Sequence, residues 1–181
     1  MKIGKTLYVT DRKKWRAWLS KNHSKVKEIW LIYYRKSSGK KRIPYNDAVE
    51  EALCYGWIDS IVKKIDDKKF VQRFTPRRSS KISIMNKERV RRLIKQKKMT
   101  KYGLEAIELK EKRFKIKEDI IKEFKKNKEA WKNFQKFPAY YKKIRIGYLE
   151  MQRKHSKEMF NKALRNLIKK SEQNKRFGML K

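Results

Sequence analysis

Cysteine is all but absent from this chain. Cys54 stands alone, so no intramolecular disulfide can form and no thiolate metal site can be assembled. Glycine is scarce, six in 181 residues and nowhere clustered, which excludes a glycine loop that cradles phosphate. The two histidines, His23 and His155, lie far apart without metal-ligand spacing, so neither a metal nor a cofactor is expected. No stretch approaches the roughly 18–20 apolar residues of a membrane-spanning helix. The opening Met-Lys-Ile-Gly-Lys lacks the apolar run of a signal peptide, and a cytoplasmic protein without a membrane span is the expectation.

Acidic residues are also few. Nineteen Asp and Glu face 54 Lys and Arg, for a formal charge of +35. A field of that sign draws polyanions such as DNA or RNA. The competing reading is compositional drift in a Lys-, Ile- and Asn-rich chain, although drift should raise glutamate too, and 13 Glu accompany 39 Lys. No block of five or six like charges interrupts the chain, which argues for a folded cationic surface over a detachable basic arm. Apolar residues at 39% and aromatics at 12% are enough for a packed core.

The pattern is α+β: a small antiparallel sheet, one strand plus a β-hairpin, packed with helices and followed by an all-helical portion. Asp11 can cap a helix to Asn22 with Trp15, Trp18 and Leu19 on one stripe. Residues 28–36 are β-branched and aromatic and read as a strand. Asn46 can cap a second helix that Gly56 stops. A hairpin follows, about Trp57 to Lys64 and Phe70 to Thr75, with Phe70, Gln72 and Phe74 on one face. Helices are expected over 83–97 and 100–112, buried through Met85, Val90, Leu93 and Ile94 and through Leu104 and Ile107. Polar residues 110–117 suggest a linker between a 1–112 core domain and a helical 113–181 region, with segments near 118–126, 128–136, 138–153 and 156–173.

No catalytic constellation emerges, so the chain reads more readily as a binding protein than as an enzyme. Cys54 lies beside the apolar stripe of its helix, as inert packing or as a nucleophile. Two groups of side chains stand out. Tyr45, Trp57, Asp59, Arg73, Thr75, Arg77 and Asn86 can line a cleft at the mouth of the hairpin if the register pairs Asp59 with Arg73. The alternative is a structural Asp59–Arg73 ion pair with Trp57 in the core. Arg78, Lys87, Arg89, Arg91, Arg92 and Lys95 make the following helix basic, as a polyanion-binding face or merely a solvated one.

The stretches Glu-Glu-Ala-Leu-Cys-Tyr-Gly-Trp-Ile-Asp-Ser (50–60), Gln-Arg-Phe-Thr-Pro-Arg-Arg (72–78) and Asn-Lys-Glu-Arg-Val-Arg-Arg-Leu-Ile (86–94) resemble the YdeI/OmpD-associated, or bacteriocin-protection, family. The stretches 15–23, 28–40, 97–107 and 165–178 resemble it as well. A Trp usual in the family stands here as Ile82. The resemblance implies a role in resisting antimicrobial peptides and supplies no catalytic residues. Three readings follow: a module binding nucleic acid or another polyanion, a small-molecule site around Asp59, Arg73 and Arg77, or a stress role as the family name implies.

Overall fold

The computed structural model describes residues 2–109 and 114–178, and the chain divides into two compact units, Met1–Leu109 and Lys110–Lys181. The first unit holds β1 (Thr6–Leu7), α1 (Arg12–Asn22), β2 (Ile29–Tyr34), a 3-10 turn (Lys36–Ser38) and α2 (Tyr45–Cys54). The hairpin strands β3 (Trp57–Lys64) and β4 (Lys69–Pro76) follow, then α3 (Ile84–Lys95) and α4 (Lys101–Glu105).

The sheet order is β1-β2-β4-β3. β2 and β3 both run antiparallel to β4, and the two-residue β1 adds a parallel pairing through Thr6↔Trp30 and Leu7↔Leu31, which makes the sheet mixed. Ile29 opposite Phe74, Leu31 opposite Gln72 and Tyr33 opposite Phe70 place one face of the sheet on the core. Opposed residues in an antiparallel pair share a face, so Phe70, Gln72 and Phe74 point inward together.

Local chemistry explains the helices. Asp11 accepts the Lys14 N–H at 2.9 Å and caps α1, whose Trp15 and Leu19 are fully buried. The Trp15 indole donates to the Ala48 carbonyl at 3.0 Å, which ties α1 to α2. Asn46 does not cap α2: Pro44 holds that position, and the Asn46 side chain accepts instead from Arg89 on α3. Gly56 turns the chain out of α2 at φ +73°, where a Cβ would sit 2.8 Å from that of Ala106. Ser83 caps α3, which buries Val90 and Leu93 but leaves Ile94 exposed.

α4 is shorter than the periodicity predicts. It ends at Glu105, Ile107 turns into the core, Leu104 stays exposed, and the Glu108 N–H bonds the Ser80 carbonyl at 3.1 Å instead of continuing the helix. Of the expected extension to 112, residues 110–112 lie outside the described residues.

The second unit is helical among its described residues: α5 (Glu118–Lys125), α6 (Lys128–Lys136), α7 (Ala139–His155) and α8 (Lys157–Glu172). Asn127 and Ser156 cap α6 and α8 through their side-chain oxygens. Ile120, Phe124, Phe134, Tyr141, Leu149, Phe160, Leu164 and Leu167 form its core. Of the stretch read as a linker, 110–113 lie outside the described residues, while Phe114 and Ile116 pack against this core. No helix among the described residues is long and apolar enough to cross a membrane.

Candidate functional site

The hairpin register disperses much of the expected cleft. Asp59 stands opposite Phe74 and therefore faces the core side. Arg73, one residue along, faces the other side, where its guanidinium grips Glu28 with Nε–Oε2 2.7 Å and Nη2–Oε2 2.5 Å. The Asp59–Arg73 pair does not form, because neighbours along a strand alternate faces. Hydrogen bonding from Arg73 holds the Glu28 carboxyl below its ordinary range. Trp57 is core, its indole donating to the His23 carbonyl at 3.1 Å. Thr75 is half-buried opposite Ile58. Arg77 donates to the carbonyls of Ser79 (3.2 Å) and Lys81 (2.6 Å) and so fastens its own loop.

A different polar cluster forms on the core-facing side. The Asp59 carboxylate accepts from the Tyr45 hydroxyl at 2.9 Å and from Gln72 Nε2 at 2.8 Å. Arg89, 3% exposed, donates to Asn86 at 2.7 Å and Asn46 at 2.9 Å. The Tyr33 hydroxyl, on a residue 2% exposed, has no hydrogen-bond partner among the described residues. Burial, reinforced by the charge of Asp59, raises the Tyr45 phenol to about 12 and pushes Tyr33 up as well. Burial pushes the Arg89 guanidinium down. Both phenols are therefore protonated donors near neutral pH, and the cluster is equipped to hydrogen-bond.

Two glutamates on α2, Glu50 and Glu51, are buried, a placement the sequence motif alone does not assign. Glu51 accepts from Arg12 Nε at 2.5 Å and Arg16 Nη1 at 2.6 Å. Glu50 accepts from Arg12 Nη2 at 2.7 Å and also pairs with Arg92. This network staples α1, α2 and α3 together. Adjacent carboxylates within the apolar run of α2 were the available signal, since buried charge requires partners. Burial, followed by the charge of Glu51, lifts the Cys54 thiol to about 11, a value suited to packing and not to nucleophilic attack.

The same network changes the reading of α3. Arg89 is buried, Arg91 pairs with Glu88 and Arg92 with Glu50, while Lys87 is half-buried. Of the residues read as a cationic face, Arg78 and Lys95 are the ones exposed without a carboxylate partner among the described residues. α3 is thus a partly neutralised wall of the first unit.

The denser cationic surface lies between β2 and α2. Arg35, Lys36, Lys40, Lys41 and Arg42 are all exposed, and none has a carboxylate partner among the described residues. A 3-10 turn over Lys36–Ser38, closed by Gly39 at φ +68°, lies within this segment. Lys40 Nζ lies 4.8 Å from the centre of the Tyr34 ring, and Tyr34 meets Tyr8 edge-on at 5.1 Å. Tyr8 is 41% exposed and donates to the Lys41 carbonyl, so an open aromatic ring sits within the basic loop. Five cations in eight residues beside Tyr34 were legible as a pattern, but the contact with Tyr8 depends on the pairing of β1 with β2.

A family described as Domain of unknown function (DUF8412) matches residues 7–106, and one described as Bacteriocin-protection, YdeI or OmpD-Associated matches residues 113–174. The resemblance seen in the sequence thus has its counterpart in the helical unit, whereas the central motifs at 50–60, 72–78 and 86–94 fall within the domain of unknown function. No curated protein and no solved structure matches the chain.

Proposed function

Because this chain belongs to the family described as Domain of unknown function (DUF8412), which brings no activity with it, we propose from its surface chemistry that it is a non-catalytic module binding nucleic acid. The observation that carries this reading is the basic loop 35–42, with five unneutralised cations around the exposed ring of Tyr8. Lysine and arginine neutralise phosphates and release condensed counterions, which gives affinity without sequence preference. An exposed tyrosine among them offers a stacking surface for an unpaired base, so single-stranded DNA or RNA is the preferred form. Elsewhere many carboxylates are engaged within the chain, Glu50, Glu51, Glu88 and Asp119 among them, which leaves the excess cations to face solvent. Such a partner is compatible with the expected cytoplasmic location.

The name of the family matching residues 113–174 mentions bacteriocin protection. Direct capture of a cationic peptide fits poorly with a chain of formal charge +35. The test is fluorescence anisotropy with labelled single-stranded DNA, RNA and duplex DNA, comparing wild type with the variant Arg35→Gln, Lys36→Gln, Lys40→Gln, Lys41→Gln, Arg42→Gln. At about 0.1 M salt the variant should lose at least ~30-fold in affinity, with its log–log salt slope for single strands shallower by about 3 and so close to zero. A variant that binds like wild type removes the loop from the interface.

A further inference from the structure

Arg145 lies in the middle of α7 and is only 8% exposed. A guanidinium carries five N–H donors and does not deprotonate in proteins, so a buried one calls for acceptors or a counter-charge. Arg153, about two turns further along α7, has both Asp119 and Glu150. Arg145 has no carboxylate partner among the described residues. One hydrogen bond of 3.5 Å runs from Nη1 to the Phe177 carbonyl, and Nε has no partner among the described residues. What holds the group is two aromatic rings, Phe177 at 4.5 Å and Tyr148 at 5.3 Å from the guanidinium carbon. Phe177 is itself fixed, its N–H donating to the Tyr141 hydroxyl at 3.2 Å. Burial pushes the guanidinium below its ordinary pKa, the direction expected of an uncompensated charge.

The same side chain lines a groove of about 510 Å³ between α7 and α8, within the ~300–1,000 Å³ usual for small-molecule sites. Leu149 and Leu167 provide an apolar floor, and Lys162 and Asn166, one turn apart on α8, stand at the rim. The groove therefore joins one oriented cation, one mobile ammonium and an apolar bed.

We propose that this groove binds a small amphipathic anion, an alkyl or aryl carboxylate, with its carboxylate on Arg145 and Lys162 and its hydrocarbon on Leu149 and Leu167. A single fork and a single ammonium match a monoanionic carboxylate. The site lies within the helical unit and is independent of loop 35–42.

The experiment is calorimetric titration of the full chain with octanoate, acetate, octan-1-ol and inorganic phosphate. At about 0.3 M NaCl loose ion condensation is suppressed. Octanoate should bind at one site per chain, with acetate, octanol and phosphate each at least tenfold weaker, about 1.4 kcal/mol or more. Arg145→Gln should lose octanoate binding at least tenfold, also about 1.4 kcal/mol. Lys162→Glu alters only an exposed rim residue and should lose several-fold with its circular dichroism and melting temperature unchanged, so the test survives if Arg145→Gln fails to fold. Absence of octanoate binding to wild type overturns the site. So does binding undiminished in Lys162→Glu or in folded Arg145→Gln, or phosphate binding as tightly as octanoate.

Discussion

Glu51→Ala should be among the most damaging single substitutions in the first unit. The carboxylate belongs to a residue 1% exposed and accepts two arginine hydrogen bonds, from Arg12 and Arg16. Removing one member of a buried ion pair typically costs about 3–5 kcal/mol because the remaining charge loses its counter-ion. Two features moderate the loss here. The arginine side chains are 29% and 36% exposed and can turn toward water, and Arg12 retains Glu50 and Asp47. The lower end applies, about 3 kcal/mol, discounted for that exposure. Urea denaturation with linear extrapolation reads it directly as a fall in midpoint at constant slope. The cycle with Arg16→Ala should return a coupling of about 1–2 kcal/mol, as expected for residues sharing one network. A loss under about 0.5 kcal/mol for Glu51→Ala is the behaviour of surface pairs, and would refute the claim that this network staples α1, α2 and α3.

Other outcomes follow from the same geometry. Gly56→Ala should destabilise by roughly 1–3 kcal/mol, since it forces a side chain to φ +73° and within 2.8 Å of the Ala106 Cβ; chemical denaturation measures this. Cys54, with its thiol raised to about 11, should resist iodoacetamide at pH 8 in the native protein and react once the chain unfolds. The unfolded thiol ionises near 9.0 while the folded one stays neutral to about 11, so this group's stabilising contribution is complete below pH 9 and fades as pH rises toward 11. The melting temperature should rise with moderate NaCl, because screening relieves the self-repulsion of a +35 chain; a melting temperature that falls on adding salt would contradict it.

The elements were largely legible and the side-chain partnerships were not. The cap at Asp11, the hairpin alternation around Phe74 and the four helical segments from 118 onward follow from rules of capping and period that act within a few residues. β1 escaped notice because two residues carry no periodicity and their strand character comes from pairing with Trp30 and Leu31. Asn46 has the chemistry of a cap, but a long-range contact with Arg89 claims its side chain. Asp59 and Arg73 were separated by register, which no local pattern specifies. Arg89, Arg91 and Arg92 looked alike in sequence, yet their packing buries the first and pairs the other two with Glu88 and Glu50.

The most direct measurement of the central claim is the salt dependence of wild-type binding to a labelled single-stranded oligonucleotide between about 50 and 300 mM NaCl, with heparin as competitor. If loop 35–42 engages phosphates with most of its five cations, the log–log slope should lie near −3 for single strands. Tyr8→Ala should then weaken single-strand binding by about 1–2 kcal/mol while leaving heparin binding unchanged, because only the nucleic acid offers a base to stack. A slope near zero, or equal loss of both ligands in Tyr8→Ala, would contradict a nucleic-acid role for this surface.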